Sequence, residues 1–173
     1  QEELDSYDMI LARIPIRNAE NIEYYQRSGF YFIALDLSMS ATQPNMNANL
    51  ENNKYSIFWH SQSAPNFLIE GFNVDDSRLM LDKHCCYRLE KNFWDTVIIE
   101  HCTDYADMVV CVVDKQSNRL VGCISCFLNK SELELFLIAV HPDFRNQGIG
   151  GAMLEYVSTK AIEHGWSLST QVL

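Results

Sequence analysis

The stretch that decides the fold is an apolar strand followed by a short loop and a glycine-rich helix start. It reads Ile138-Ala139-Val140-His141-Pro142-Asp143-Phe144-Arg145-Asn146-Gln147-Gly148-Ile149-Gly150-Gly151. The strand should end at the His-Pro pair, because proline cannot continue a hydrogen-bonded ladder. Glycines in the first helical turn remove side chains that would hold a ligand away from the backbone N–H groups. Those unpaired donors and the positive end of the helix dipole suit a pyrophosphate.

Two common nucleotide-binding patterns do not match this stretch. It contains no GxxxxGK[ST] sequence, and hence no lysine-bearing phosphate loop. It also lacks a GxGxxG sequence in a parallel βαβ setting, because the strands before it read as hairpins. Gly148 and Gly150 alone would indicate an ordinary glycine-rich helix start, so the surrounding pattern has to decide.

The flanking residues predict an α+β layered domain. Three strands are expected at residues 108–114, 120–129 and 133–140, joined by hairpin turns at 115–119 and 129–131. A helix should start near Gly148, with an apolar face that ends at His164-Gly165, and a last strand should occupy residues 168–173.

The front of the chain reads as a smaller strand–helix–strand unit. Strands are expected at residues 9–16 and 30–38, and a helix capped by Asn18 is expected at 19–27. The predicted division is a front half at 1–39, a polar linker at 40–54 and the main domain at 55–173. Two helical patterns open the main domain. One starts near Asp76, and the other carries an apolar stripe that is more typical of a core than of a ligand site: Phe93, Trp94, Val97, Ile98 and Cys102.

Composition limits the partners that the chain could bind. Of its 173 residues, 47% are hydrophobic and 21% charged, as in a globular domain with a sizeable core. The net charge of −10 and the pI near 4.8 disfavour nucleic acid and anionic membranes. The acidic opening residues resemble no signal peptide, and no apolar run is long enough to cross a bilayer. The absent starting Met suggests a front that is processed, trimmed or incompletely covered.

The six cysteines indicate a reduced protein. Cys123 and Cys126 have CxxC spacing, which could indicate zinc or redox chemistry. Residues three apart in a strand point to opposite faces, however, so these two sulfurs cannot easily share a metal. We expect buried, reduced thiols, no metal and a cytoplasmic location.

The wider pattern resembles a known family. Val-x-Pro-x-x-Arg-x-x-Gly-x-Gly, followed by an amphipathic helix with Met153-Leu154, is similar to motif A of the GNAT superfamily of N-acetyltransferases. The matching residues are Arg145, Gly148 and Gly150. The resemblance implies a mixed, mostly antiparallel sheet flanked by helices, with acetyl-CoA as cosubstrate.

The same resemblance implies where acetyl-CoA binds. The backbone amides of Arg145, Asn146, Gln147, Gly148, Ile149, Gly150 and Gly151 would hold the pyrophosphate. The pantetheine arm would lie along Ile138, Ala139 and Val140 like an added strand. A bulge in this strand would splay it from residues 168–173, and a backbone N–H near Ile138 would stabilise the developing oxyanion.

The substrate amine attacks directly in this family, so the protein supplies proton transfer and not a nucleophile. Glu134 lies where some family members place a general base. The alternative is a solvated residue at the strand edge. His141 could relay a proton, although a histidine in such a loop is more often exposed.

The front of the chain carries a second resemblance. Residues 18–30 look like GNAT motif B, in which Tyr25 would match the Tyr that protonates the departing thiolate. Motif B normally follows the last strand, where this sequence stops at Leu173, so the expected C-terminal helix and strands are missing from it. Either the chain is cut short at Leu173, or the front segment takes their place. The front is also similar to the partial N-terminal half of TDP-fucosamine acetyltransferase-like proteins, in which Tyr25 would be structural.

Two functions follow from these resemblances. The first is acetylation of a primary amine of a small molecule, such as an amino sugar nucleotide. The second is a non-catalytic acyl-CoA-binding module. The chain could also form a homodimer, and we expect neither nucleic-acid nor membrane partners.

Overall fold

The computed structural model of the chain describes residues 14, 19–30, 37–41, 54–61, 63–73 and 92–172. The chain divides into two compact units, Gln1–Ile33 and Ala34–Leu173. In the first unit, helix α1 spans Ala19–Arg27, as predicted from the sequence. Gly29 ends it with a left-handed φ of 94°. The predicted strand at 9–16 and the Asn18 cap lie outside the described residues, apart from Ile14.

The second unit is built on a six-stranded sheet. Its strands are β1 (Leu37–Ala41), β2 (Tyr55–His60), β3 (Met108–Asp114), β4 (Arg119–Asn129), β5 (Glu132–Val140) and β6 (Ser167–Val172). They lie in the order β1-β6-β5-β4-β3-β2. All neighbours are antiparallel except β5 and β6, which are parallel. The sheet is therefore mixed and mostly antiparallel, which confirms the predicted fold class.

Helices cover both faces of the sheet. Helix α2 (Phe93–Glu100) continues directly into a π-helix, His101–Tyr105. A 3-10 turn, Pro142–Phe144, precedes helix α3 (Ile149–His164), which Gly165 ends at a φ of 70°. The helix predicted near Asp76 lies outside the described residues. No helix in the described part of the chain is long and apolar enough to cross a membrane.

Two apolar cores follow from the alternation of side chains along each strand. Val110, Val112 and Ile124 pack with Met153 and Val157 of α3 on one face. Val109, Cys111 and Ala139 pack with Ile98 and Cys102 of the α2 side on the other. Cys123 belongs to the second core and Cys126 to the first, which confirms that the CxxC pair points to opposite faces.

The structure differs from the sequence predictions at both edges of the sheet. Strand β2 was not predicted. Strand β1 crosses the predicted boundary at residue 39, and it pairs with β6 from Leu37↔Val172 to Ala41↔Leu168. Its pairing covers an edge of β6 that would otherwise expose unpaired backbone groups.

Candidate functional site

Strands β5 and β6 separate partway along their length and leave a slot between them. They pair in parallel from Glu132↔Ser167 to Leu135↔Thr170. Beyond that point β5 continues along β4, while β6 continues along β1. The open stretch of β5 therefore runs from Phe136 to Val140.

A β-bulge in β5 lies where the slot begins. Ser125 of β4 pairs with Leu137, but its neighbour Cys126 pairs with Leu135, so Phe136 is an extra residue. The Leu137 N–H donates to Ser125 Oγ at 3.2 Å, which anchors the bulged strand to β4. A bulge bends its strand and increases the local twist, so this one accounts for the separation of β5 from β6. The bulge expected in this strand is confirmed.

The backbone groups of the open stretch can be assigned to the two sides of β5. The N–H groups of Leu137 and His141 both point to β4, the first to Ser125 Oγ and the second to Val121 O at 2.9 Å. Successive N–H groups along a strand alternate between its two sides. The N–H groups of Ile138 and Val140 are therefore directed into the slot.

The loop after β5 leads into α3 through two residues with left-handed backbones. Asn146 has a φ of 61° and Gly148, the N-cap of α3, a φ of 78°. The first hydrogen bond of the helix runs from the Ala152 N–H to Gly148 O at 3.0 Å. The N–H groups of Ile149 and Gly150 precede that ladder and have no intrahelical acceptor. The first turn carries no acidic residue, so this end of α3 is suited to an anion.

The space in front of the N–H groups of Ile149 and Gly150 is open. A Cβ built on Gly148 would meet nothing within 4 Å, and a Cβ built on Gly150 would meet only Val140 Cγ2, at 3.9 Å. Gly148 is needed for its positive φ, whereas packing within the protein does not require glycine at 150. A glycine that the fold does not need fits a site where a ligand approaches the backbone closely. The residues present therefore fit a bound pyrophosphate.

Side chains tie the loop to the rest of the unit. Arg145 donates through Nε to Val140 O at 3.3 Å and through Nη2 to Asn73 O at 2.6 Å. The Tyr55 hydroxyl donates to Gln147 Oε1 at 2.7 Å. The Lys54 ammonium lies 5.0 Å from the centre of the Tyr55 ring, and its hydrogen bond with Tyr55 raises the pKa of Lys54. A cation thus lies 5.5 Å from the ring centre of Phe144, in the loop before the glycine-rich start of α3, in a strongly acidic protein.

A tight contact supports the loop from the side of residues 68–73. Gly71 has a φ of 77°, and a Cβ there would lie 2.8 Å from His141 Nε2 and 3.0 Å from Arg119 Nη2. The N–H groups of Gly71 and Phe72 donate to the two carboxylate oxygens of Asp95 at 2.9 and 2.8 Å. Only glycine satisfies both the backbone angle and the close approach at position 71.

His141 is a neutral, buried support and not an exposed loop residue. It is 3% exposed, and its Nε2 lies 2.8 Å from Arg119 Nη2. Arginine only donates, so Nε2 must accept and the proton must be on Nδ1. The short approach of the Asp143 N–H to Nδ1, 3.2 Å, is then a contact and not a hydrogen bond. Burial and the Arg119 charge lower the pKa of His141, which disfavours the proposed proton relay.

The burial of His101 and His141 predicts that the folded protein loses stability in acid. The pKa values of His101 and His141 are both lowered below 6.5, mainly by burial, so the unfolded chain binds more protons than the folded chain as pH falls through that value. The free energy of unfolding should therefore decrease below about pH 6.5 and be largest above it. Urea unfolding at several pH values would measure this, and His141→Gln should flatten the dependence. Equal stability of the wild type at pH 7.5 and 5.5 would contradict the assignment.

The two predicted catalytic residues lie in different units. Glu134 is half-buried on β5 and pairs with Phe127 of β4, two residues before the bulge. Tyr25 belongs to the first unit, where its ring packs edge-on against Phe30 at 5.1 Å between ring centres. The described contacts of Tyr25 are those of a packing residue.

Several supporting residues were not predicted from the sequence. Gly71, Arg119 and Tyr55 all contact the loop from distant segments, and no local pattern marks them. Gly122 is also essential to the geometry, because a Cβ there would lie 2.7 Å from Ile149 Cγ2 and 3.0 Å from Met153 Sδ in α3. An isolated glycine in a strand signals a close approach, and that signal at Gly122 could have been used.

Comparisons with known proteins find a matching family and similar solved structures. The profile of the acetyltransferase (GNAT) family matches residues 72–172, more than half of the chain. No curated protein is significantly similar to the chain in sequence.

The solved structures to which the chain is similar include three acetyltransferases. A GCN5-related N-acetyltransferase from Sphaerobacter thermophilus is 15% identical over 89% of this chain and 47% of its own, with a TM-score of 0.47. A GNAT family acetyltransferase from Elizabethkingia anophelis, solved with acetyl-CoA bound, is 22% identical over 66% of this chain and 62% of its own, with a TM-score of 0.38. The ribosomal-protein-S18-alanine N-acetyltransferase of Escherichia coli is 21% identical over 41% and 44%, with a TM-score of 0.35. The chain covers less than two thirds of each of these proteins.

Proposed function

This chain belongs to the acetyltransferase (GNAT) family, and on that premise we propose that it transfers the acetyl group of acetyl-CoA to a primary amine of a small molecule. The observation that carries the proposal is the continuity of the site. An open strand edge, residues 136–140, leads directly into an anion-binding turn at the start of α3. One ligand with an extended arm and a pyrophosphate end would fill both.

The residues proposed to hold acetyl-CoA follow from this geometry. Backbone N–H groups from Asn146 to Gly151 would bind the pyrophosphate, whereas the Arg145 N–H already donates to Pro142 O at 3.2 Å. Lys54, whose ammonium lies 5.5 Å from the Phe144 ring centre, would add a positive charge. Ile138, Ala139 and Val140 would hydrogen-bond the extended arm as an added strand does. Acetyl-CoA would supply an activated acyl group, and the Ile138 N–H would stabilise negative charge that develops on its carbonyl oxygen.

Glu134 is the proposed general base. An amine must lose its proton to attack, and Glu134 lies on β5 two residues before the slot opens. The carboxylate would first take the proton from the ammonium group, and the free nitrogen would then attack the acetyl carbon. As the nitrogen–carbon bond forms, the carbon–sulfur bond of the thioester breaks and CoA leaves as a thiolate, which takes up the second proton of the amine nitrogen. For the acceptor, the resemblance of the front of the chain to TDP-fucosamine acetyltransferase-like proteins suggests an amino sugar nucleotide.

Binding of acetyl-CoA should raise the stability of the fold. At a ligand concentration 100 times the dissociation constant, the free energy of unfolding should rise by about 2.7 kcal/mol. Thermal unfolding with acetyl-CoA, NADH and ATP would measure this, and the last two should have smaller effects. Turnover would then be followed by the release of free CoA thiol in the presence of amines. An unchanged melting temperature in a folded sample would contradict the proposal, and binding without turnover would indicate the non-catalytic acyl-CoA-binding module.

Tyr25→Phe should leave turnover near the wild-type value. The substitution keeps the ring, which packs on Phe30 and lies 5.7 Å from Tyr24, and removes only the hydroxyl. Steady-state kinetics on the full-length protein would test this. A fall of ~100-fold with unchanged acetyl-CoA affinity would instead assign the hydroxyl to protonation of the leaving thiolate.

A further inference from the structure

We infer that the acceptor is an arylalkyl amine whose flat apolar group binds to an aromatic cluster at the mouth of the slot, formed by His101, Tyr105, Phe127 and Phe136. This inference rests on the proposed acetyl transfer and specifies its acceptor. It favours an uncharged aromatic group next to the amine over the sugar and phosphates of an amino sugar nucleotide.

The position of the cluster follows from the bulge. Phe136 is the extra residue of β5, and it is the first residue beyond the last β5–β6 pair. Leu133 and Leu135 belong to the core that α3 covers, so the sheet face on that side is closed near the slot. Phe136 packs instead on the π-helix side, against His101 and Phe127. The face that carries the cluster is thus the side from which an acceptor could reach the start of the slot.

The cluster presents exposed aromatic surface. Tyr105 is 59% exposed and Phe136 49%, although both belong to one network of ring contacts. Phe127 and Phe136 meet edge-to-face at 5.3 Å, and Tyr105 and Phe127 at 5.5 Å between ring centres. Another aromatic ring would gain similar edge or face contacts there. Exposed apolar patches of this kind on a folded protein mark binding surfaces.

His101 is the buried member of the cluster and carries an unpaired polar atom. Its ring stacks on Phe136 at 5.6 Å with 27° between the planes, and the residue is 4% exposed. Its buried Nδ1 has no hydrogen-bond partner among the described residues. It lies in a π-helix, a distortion that is frequent at functional sites. A buried polar atom left unpaired is costly, so a group that reached this nitrogen would stabilise the cluster.

The acidic residues around the aromatic cluster favour an acceptor that carries a positive charge. Glu134 pairs with Phe127 across the sheet, Asp104 lies within the π-helix, and the Asp107 carboxylate accepts from the Leu128 N–H at 2.8 Å. Segments 100–107 and 126–140 contain five acids and one Lys or Arg: Glu100, Asp104, Asp107, Glu132, Glu134 and Lys130. An ammonium group next to an aromatic ring is attracted to such a surface, whereas a nucleotide phosphate is repelled.

Acceptor selectivity tests the inference. We expect kcat/KM for 2-phenylethylamine to exceed that for ethanolamine and for UDP-glucosamine by about tenfold or more, which is the range that apolar contacts supply. Tyr105→Ser and Phe136→Ser should each lower the preference for 2-phenylethylamine over ethanolamine severalfold. The KM for acetyl-CoA should not change in Tyr105→Ser, because Tyr105 lies in the π-helix and outside the strand edge proposed to bind acetyl-CoA. Ile162→Ser, at a 55% exposed site on α3, is the matched control and should keep the preference.

The possible outcomes distinguish an error in the acceptor assignment from an error in the proposed acetyl transfer. A preference for UDP-glucosamine, ethanolamine or a peptide amine would overturn the acceptor assignment and leave the transfer function in place. A preference for 2-phenylethylamine that neither cluster variant reduces would also overturn the assignment of the cluster. Acetyl-CoA binding with no turnover of any amine would contradict the proposed function itself. Because Tyr105 is more exposed than Phe136, its variant remains informative if Phe136→Ser fails to fold.

Discussion

Gly150→Glu should weaken acetyl-CoA binding by at least ~100-fold while the domain stays folded. The new side chain would project from the first turn of α3, where a Cβ meets only Val140 Cγ2 at 3.9 Å, so it fits the free protein without a clash. A carboxylate near a helix N-terminus is also favourable for the helix itself. In the complex, however, it would occupy the space of the pyrophosphate with the same sign of charge, which costs several kcal/mol.

Isothermal titration with acetyl-CoA would measure this loss, and circular dichroism would establish that the fold is intact. Ile162→Glu is the matched control, because it adds the same side chain to an exposed site near the other end of α3. Arg145→Ala should have a smaller effect than Gly150→Glu, because the Arg145 guanidinium hydrogen-bonds to Val140 and Asn73 while the backbone amides bind the ligand. Wild-type affinity in a folded Gly150→Glu protein would refute the placement of the pyrophosphate.

Gly122→Ala should destabilise the second unit by about 1–3 kcal/mol, the usual cost of overpacking a core. The added methyl group would lie 2.7 Å from Ile149 Cγ2 and 3.0 Å from Met153 Sδ. Met153 can rotate away, but Ile149 is β-branched, stiff and buried, so the first turn of α3 has to move. Because that turn carries the proposed binding amides, acetyl-CoA affinity should fall as well.

A double-mutant cycle isolates this contact. Ile149→Ala alone should cost about 2–5 kcal/mol, because it empties a buried site. Combined with Gly122→Ala, the two changes should be less destabilising than their sum by about 0.5–3 kcal/mol, since the cavity accepts the new methyl group. Urea unfolding of the four proteins gives these values. Strict additivity would show that Gly122 does not set the position of the helix.

Local patterns predicted the centre of the fold well. Strands β3, β4 and β5 and helix α3 were predicted within about two residues of their ends, because their apolar periodicity and their Gly and Asn turns are encoded locally. The glycine-rich start of α3 was also predicted, since Gly148 and Gly150 follow a strand that ends before a proline. The site residues inferred from the resemblance remain a prediction, which Gly150→Glu will test.

Contacts between residues far apart in the sequence could not be predicted from local patterns. Strand β2 is short and lies at the edge of the sheet, where half-buried side chains give little alternation. The Gly71–His141–Arg119 contact joins three distant segments, so no spacing rule could show it. His141 was expected to be exposed because loops usually are, and its burial depends on that contact.

The pairing of β1 with β6 has a consequence for synthesis on the ribosome. Leu37 pairs with Val172, so roughly 135 residues must be made after β1 before its partner exists. At typical translation rates this wait is on the order of ten seconds. Throughout that time the edge of β1 is unpaired, which makes the nascent chain open to association with other strands. The final closure also brings together residues far apart in sequence, a feature of slow-folding proteins. We therefore expect the late pairing of β1 with β6 to determine how strongly folding in the cell depends on chaperones.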